Sequence, residues 1–198
     1  GHGLSSGAPE LIFVKNRSQA DAWAVYHVGT GNAAHTILNT DAAQVTSSAY
    51  WGSFTPTTTL FKVGSDHKLN ASSENYVAYL WHGVEGYSKF GSYIGNANED
   101  GPFIYTGFRP RLLVIKNITS APNNWMVFDT ARETFNPIDQ NWHLDTYVGQ
   151  TTETDRDLDI LSNGFKIRSD NGTLNHPSGN TFIYMAWGDV PFKYNNTF

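Results

Sequence analysis

Cysteine is absent from this 198-residue chain. That absence removes disulfides, thiolate metal sites and a thiol nucleophile together. No apolar run approaches the roughly 18 residues of a membrane helix, so no membrane insertion is expected. The opening Gly1-His2-Gly3-Leu4-Ser5-Ser6-Gly7 has neither the basic nor the apolar region of a signal peptide. It starts on glycine rather than methionine, as expected of a segment processed or cut from something longer. Charge is scarce: Asp, Glu, Lys and Arg make up 16% of residues and the net charge is −5. Nucleic-acid surfaces are usually basic, so a nucleic-acid partner is not expected. The seven histidines show no HxH or HExxH spacing, so no metal site or cofactor is expected. GxSxG, P-loop and GxGxxG motifs are missing too, and Gly29-Thr30-Gly31 alone is too short to signal a phosphate site.

What is present is an internal repeat. Pro9-Glu10-Leu11-Ile12-Phe13-Val14-Lys15-Asn16 matches Pro110-Arg111-Leu112-Leu113-Val114-Ile115-Lys116-Asn117. Trp23-Ala24-Val25-Tyr26-His27 matches Trp125-Met126-Val127-Phe128-Asp129. Phe61-Lys62-Val63 matches Phe165-Lys166-Ile167, and Leu69-Asn70 matches Leu174-Asn175. Tyr76-Val77-Ala78-Tyr79-Leu80-Trp81 matches Phe182-Ile183-Tyr184-Met185-Ala186-Trp187. The blocks keep their order at a spacing of roughly 100 residues, too long for a solenoid or a propeller blade. A duplicated β-unit is expected, with one copy over about residues 1–85 and the other over about 86–198, both in a single domain.

Each block reads as a strand. Leu11–Val14 and Leu112–Ile115 are short apolar runs rich in β-formers, as in strands buried on both faces. Phe61-Lys62-Val63 and its match alternate apolar and polar. Tyr76–Trp81 and Phe182–Trp187 are apolar at both parities, which predicts central strands. Turn residues such as Asn163-Gly164 and Asn171-Gly172 separate the blocks. No long helical period occurs, though Asp129–Phe135 could hold a short helix. The expected fold is all-β: an antiparallel β-sandwich of two pseudo-symmetric copies packed about a pseudo-twofold. The second unit has an extra leading strand, Gly86–Tyr93, which the first lacks. An open sheet edge follows, to be filled from upstream or by a partner.

Several stretches together resemble a domain of virion appendage proteins in marine tailed bacteriophages. They are Ala8–Arg17, Ser48–Trp51, Gly86–Tyr93, Gly101–Pro110, Leu161–Lys166, Phe182–Ala186 and the closing Pro191-Phe192-Lys193-Tyr194. The resemblance implies a tail-fibre or spike location on the virion and a role in structure or host attachment. It implies other virion proteins as partners, and a homo-oligomer, by analogy a trimer. It carries over no catalytic residue and no ligand.

Candidate ligand residues fall in two places. Tyr50-Trp51 lies in a loop-like stretch outside the repeats; it either stacks on a sugar ring or plugs the core. Trp142-His143-Leu144-Asp145-Thr146-Tyr147 lies in what reads as a long insertion, Pro137–Asp157. Trp142, His143, Asp145 and Tyr147 suit a bacterial surface glycan, or else pack the loop on itself. Trp23, Trp81, Trp125 and Trp187 occupy matched positions, which favours core packing. Asp155, Asp157 and Asp159 alternate as on a solvated strand face rather than in a calcium loop. Three functions compete: non-enzymatic host attachment, a purely architectural or decoration module, and a glycan depolymerase working through Glu133, Asp139 or Asp145.

Overall fold

The computed structural model describes residues 1–4 and 6–189; the closing block Pro191–Tyr194 lies outside them. Its strands build antiparallel sheets, two of which pack face to face as a β-sandwich. The first sheet contains β1 (Leu11–Asn16), β2 (Ala24–His27), β3 (Ala34–Ile37), β4 (Val45–Thr46) and β5 (Tyr76–Trp81), in the order β4-β3-β2-β1-β5. The second adds β6 (Ser88–Ile94), β8 (Pro110–Asn117), β9 (Met126–Asp129), β10 (Gln140–His143), β11 (Thr151–Thr152) and β14 (Thr181–Gly188). Its order is β11-β10-β9-β8-β14-β6. A small third sheet joins β7 (Phe103–Tyr105), β12 (Leu158–Leu161) and β13 (Gly164–Ile167).

Five strands of the two large sheets correspond in order and in residue pairing. Leu11 faces His27 and Trp81; its match Leu112 faces Asp129 and Trp187. Val25 faces Thr36, and Val127 faces Trp142. The turns after β1 and β8 are also alike. Asn16 Oδ1 accepts from the Ser18 and Gln19 amides, and Asn117 Oδ1 from those of Thr119 and Ser120.

Packing between the sheets departs from the expected twofold. Its polar contacts join residues 27–44 to the second sheet. Trp125 Nε1 donates to the Ile37 carbonyl, Lys116 Nζ to that of Asp41, and His27 Nε2 to that of Tyr184. Among the described residues no reciprocal set is seen. The strand β6 lies on one side only, and its Phe90 ring meets the His27 ring, centroids 6.4 Å apart.

The core explains the strand patterns. Leu11 and Val25 meet Val114, Val127, Ile183 and Met185 between the sheets. The opposite face of the first sheet, with Ile12, Val14 and Tyr26, lies under α1 (Ser48–Trp51) and α2 (His67–Asn70). The opposite face of the second, with Ile115, Phe128 and Phe182, lies on the third sheet's Ile104, Ile160, Phe165 and Ile167. Strands β1 and β8 are therefore buried on both faces, hence their unbroken apolar runs. Each such large side chain contributes about 1.5–3 kcal/mol.

Four expectations need correction. Phe61–Val63 forms no strand, although Phe61 and Val63 pack on the core as Phe165 and Ile167 do. A strand there needs neighbours like β12 and β7, and Pro56, in the stretch matching β12, has no amide to donate. Instead Gly64 N–H bonds the Tyr50 carbonyl of α1. A Cβ on Gly64 would sit 2.1 Å from the Ala49 carbonyl oxygen. Gly64→Ala should therefore push α1 off the sheet and lower stability by about 1–3 kcal/mol, measurable by urea unfolding. Asp129–Phe135 is a single turn around the Asp129 carbonyl, not a helix. Pro137–Asp157 is no insertion: it carries β10 and β11, which pair as β3 and β4 do. Its Gln-Asn-Trp-His sequence hid a strand that is only half covered. Finally, β14 is interior but β5 is an edge, because only β14 has a β6 beside it.

Candidate functional site

The intersheet core does not end cleanly at β5. Alternate side chains of a strand share a face, so Tyr79 and Trp81 point to the same side, next to Phe13 on β1. Trp23, just ahead of β2, lies on that side too. The rings form a row: Trp23 to Tyr79 and Tyr79 to Trp81 are both 6.3 Å between centroids, with interplanar angles of 26° and 24°. Trp81 is held at the inner end by Phe13 at 5.1 Å and Trp187 at 6.5 Å. The middle ring is open, with Tyr79 47% exposed, and Trp23 at the other end is half-buried. Near-parallel stacked rings anchored at one end make an aromatic ledge, exposed at Tyr79. Such a ledge suits the C–H face of a ring that also carries hydroxyls.

The residues singled out in the sequence are scattered. Tyr50 and Trp51 sit in α1, capped by Ser47, and are 5% and 1% exposed. Trp51 meets the Tyr26 ring edge-on at 5.7 Å, and Tyr50 stacks on His35. Neither offers a ring face to a saccharide, so the expected stacking role gives way to core plugging. Trp142 lies on β10, half-buried against the intersheet core, with the Arg132 guanidinium 4.5 Å from its ring centre. His143 is half-buried, and burial pushes its pKa below the usual histidine range. Asp145 is turned inward: it accepts from the Trp125 backbone amide at 3.1 Å and from Asn124 at 3.1 Å. Asn39 does the same for the Trp23 amide in the first sheet, at 2.9 Å, so Asp145 is a strand bracket. Tyr147 alone stands fully in solvent, flanked by exposed Leu144 and Val148.

Two of the three carboxylates considered for hydrolysis, Glu133 and Asp145, are engaged by backbone amides. Glu133 accepts from the Asp139 and Gln140 amides. Of the alternating aspartates weighed against a calcium loop, Asp159 binds Arg168 at 2.6 Å and Asp155 binds Asn171 at 2.7 Å. A cleft of about 400 Å³ lies between Ser6–Glu10, Thr55-Pro56 and His82-Gly83. In it the Ser6 hydroxyl is 2.9 Å from His82 Nε2, and His82 Nδ1 is 2.7 Å from the Gly83 carbonyl. A carbonyl only accepts, so Nδ1 carries the proton and Nε2 accepts from Ser6. The nearby Glu10 carboxylate is bound to the Gly83 amide instead of to the imidazole. The pair therefore clips residues 6–10 onto the end of β5. Among the described residues no group of three or more His, Asp or Glu gathers for a metal ion.

Residues 1–191 match one family along nearly the whole chain. The chain belongs to the family described as a domain of unknown function, DUF7483. No curated protein and no solved structure matches it. The functional reading of this DUF7483 domain therefore rests on its own surface. The Trp23–Tyr79–Trp81 row is hidden in the sequence because tryptophans at matched positions read as core. The available signal was the unmatched strand Gly86–Tyr93: without its counterpart, β5 and its aromatics stay uncovered.

Proposed function

We propose that this is a non-enzymatic attachment domain of a virion appendage, and that it holds a bacterial surface glycan on Trp23, Tyr79 and Trp81. The single observation behind the ligand class is the aromatic row, anchored by Trp187 and open at Tyr79. The virion setting and the assembly as a homo-oligomer, by analogy a trimer, draw on the resemblance of the repeat blocks to phage appendage domains. The duplication of the β-unit belongs to the same reading, supported by the matched pairing of five strands.

The test is binding of the domain to host cells and to a panel of bacterial surface polysaccharides. Tyr79→Ala should weaken binding by about two- to tenfold, the worth of one aromatic contact of about 0.5–1.5 kcal/mol. Its unfolding midpoint should stay almost unchanged, as for other exposed positions. An absence of saccharide and cell binding would favour the architectural module. Reducing-end release from host polysaccharide would favour the depolymerase.

A further inference from the structure

We propose that the outer edge of β5 is a strand-docking site, and that its occupant is an extended segment of a partner chain with the residue pattern of β6. The molecule carries its own template for this complex. The strand matching β5 is β14, and β14 has β6 on the side where β5 has nothing among the described residues. The pairing of β1 with β5 equals that of β8 with β14 residue for residue. The two edges are thus built alike, and one of them is filled.

Hydrogen-bond parity fixes which groups are free. The carbonyls of Asn75 and Trp81 accept from β1-side amides, those of Arg17 and Glu10. In an antiparallel strand alternate residues direct both backbone groups to the same side. Val77 and Tyr79 therefore also face β1, while Tyr76, Ala78 and Leu80 face outward. On β14 the equivalent outward residues are Phe182, Tyr184 and Ala186, which face Tyr93, Gly91 and Lys89.

Other sheet edges are blunted in the ways that discourage pairing. β4 and β11 are two residues long. β6 carries Lys89, whose amine binds the Tyr105 carbonyl at 3.0 Å. β7 has three residues, and β12 carries Asp159, ion-paired to Arg168. β5 has six residues, Tyr-Val-Ala-Tyr-Leu-Trp, with no charge and no proline.

The template also states the occupant's chemistry. Phe90 of β6, opposite Met185, packs on Trp187 at 5.5 Å. An aromatic at that place in the occupant would lie opposite Tyr79 and pack on Trp81. Gly91 is required beside β14 because a Cβ there would be 2.7 Å from the Tyr184 hydroxyl oxygen. β5 has Ala78 at that place, so its occupant can carry a side chain.

The test uses the 198-residue chain and a synthetic peptide of residues 86–95, followed by amide hydrogen exchange. The free chain should exchange quickly at Tyr76, Ala78 and Leu80 and slowly at Val77, Tyr79 and Trp81. Saturating peptide should slow the first three. Ala78→Pro removes one outward donor and should weaken binding at least about tenfold. Gly91→Pro within the peptide should do the same without touching the domain's fold, whereas Gly91→Val should bind at least as well. Protection of Ala78 in the free monomer, or equal binding of the Gly91→Pro peptide, would overturn the proposal. So would protection that rises with protein concentration alone, which assigns the edge to a second copy. Peptide and glycan would compete at Trp81, but the two proposals fail separately, because Tyr79→Ala leaves the outward backbone groups in place.

Discussion

Replacing Trp51 by alanine is expected to destabilise the domain by about 3–5 kcal/mol, the usual loss for a fully buried tryptophan. The ring is 1% exposed and closes the first sheet's outer core against Tyr26. Its removal leaves a cavity under α1, a four-residue helix too short to hold its place unaided. The effect should appear as a large fall in the midpoint of urea unfolding. Trp51→Phe should lose far less. The indole N–H is buried without a partner, and phenylalanine removes that group, worth about 1–3 kcal/mol, while keeping most of the volume. Tyr79→Ala is the opposite case, with little loss of stability and a loss of ligand. If Trp51→Ala weakened glycan binding with no loss of stability, the division between core and ledge drawn from burial would be wrong.

Much of this fold was legible because β1 and β8 are buried on both faces. Such strands must be apolar at nearly every position, and their similar runs placed the sandwich core. The lead strand β6 was legible from its aromatics: Phe90 and Tyr93, three apart, enter the cores on its two faces. β10 was not, because a half-covered strand tolerates Gln-Asn-Trp-His. Phe61–Val63 misled in the other direction. Its alternation is genuine and its apolar side is used, but a strand also needs neighbours to bond with, and local sequence does not show them. The site was harder still. Whether a tryptophan is core or ledge depends on what lies over it: Trp125 is 0% exposed, yet its match Trp23 is half-buried. Asp145 looked like a ligand residue because sequence reports its type, while its work is to bracket the Trp125 amide, as Asn39 does for Trp23.

Acid should unfasten the sandwich at His27. The ring is buried between the large sheets and both nitrogens are committed. Nε2–H donates to the Tyr184 carbonyl at 3.0 Å, and Nδ1 accepts from the Gly29 amide at 2.9 Å. Only the neutral ring can do both. Burial lowers its pKa from 6.5 to about 4, with the Tyr184 contact opposing in part. The unfolded chain therefore takes up a proton as the pH falls through 6.5, and the folded chain does not until about 4. His27 contributes its full stability above pH 6.5, loses it between 6.5 and 4, and adds no further loss below. The span corresponds to about 3 kcal/mol. His35 and His143 are also lowered by burial and steepen the same limb. Urea unfolding at intervals from pH 7.5 to 4 checks the slope. His27→Gln should be less stable at neutral pH and follow a flatter curve, since glutamine bonds across the sheets without titrating. A variant curve as steep as the parent's would remove His27 from the account and leave His35 and His143 to carry it.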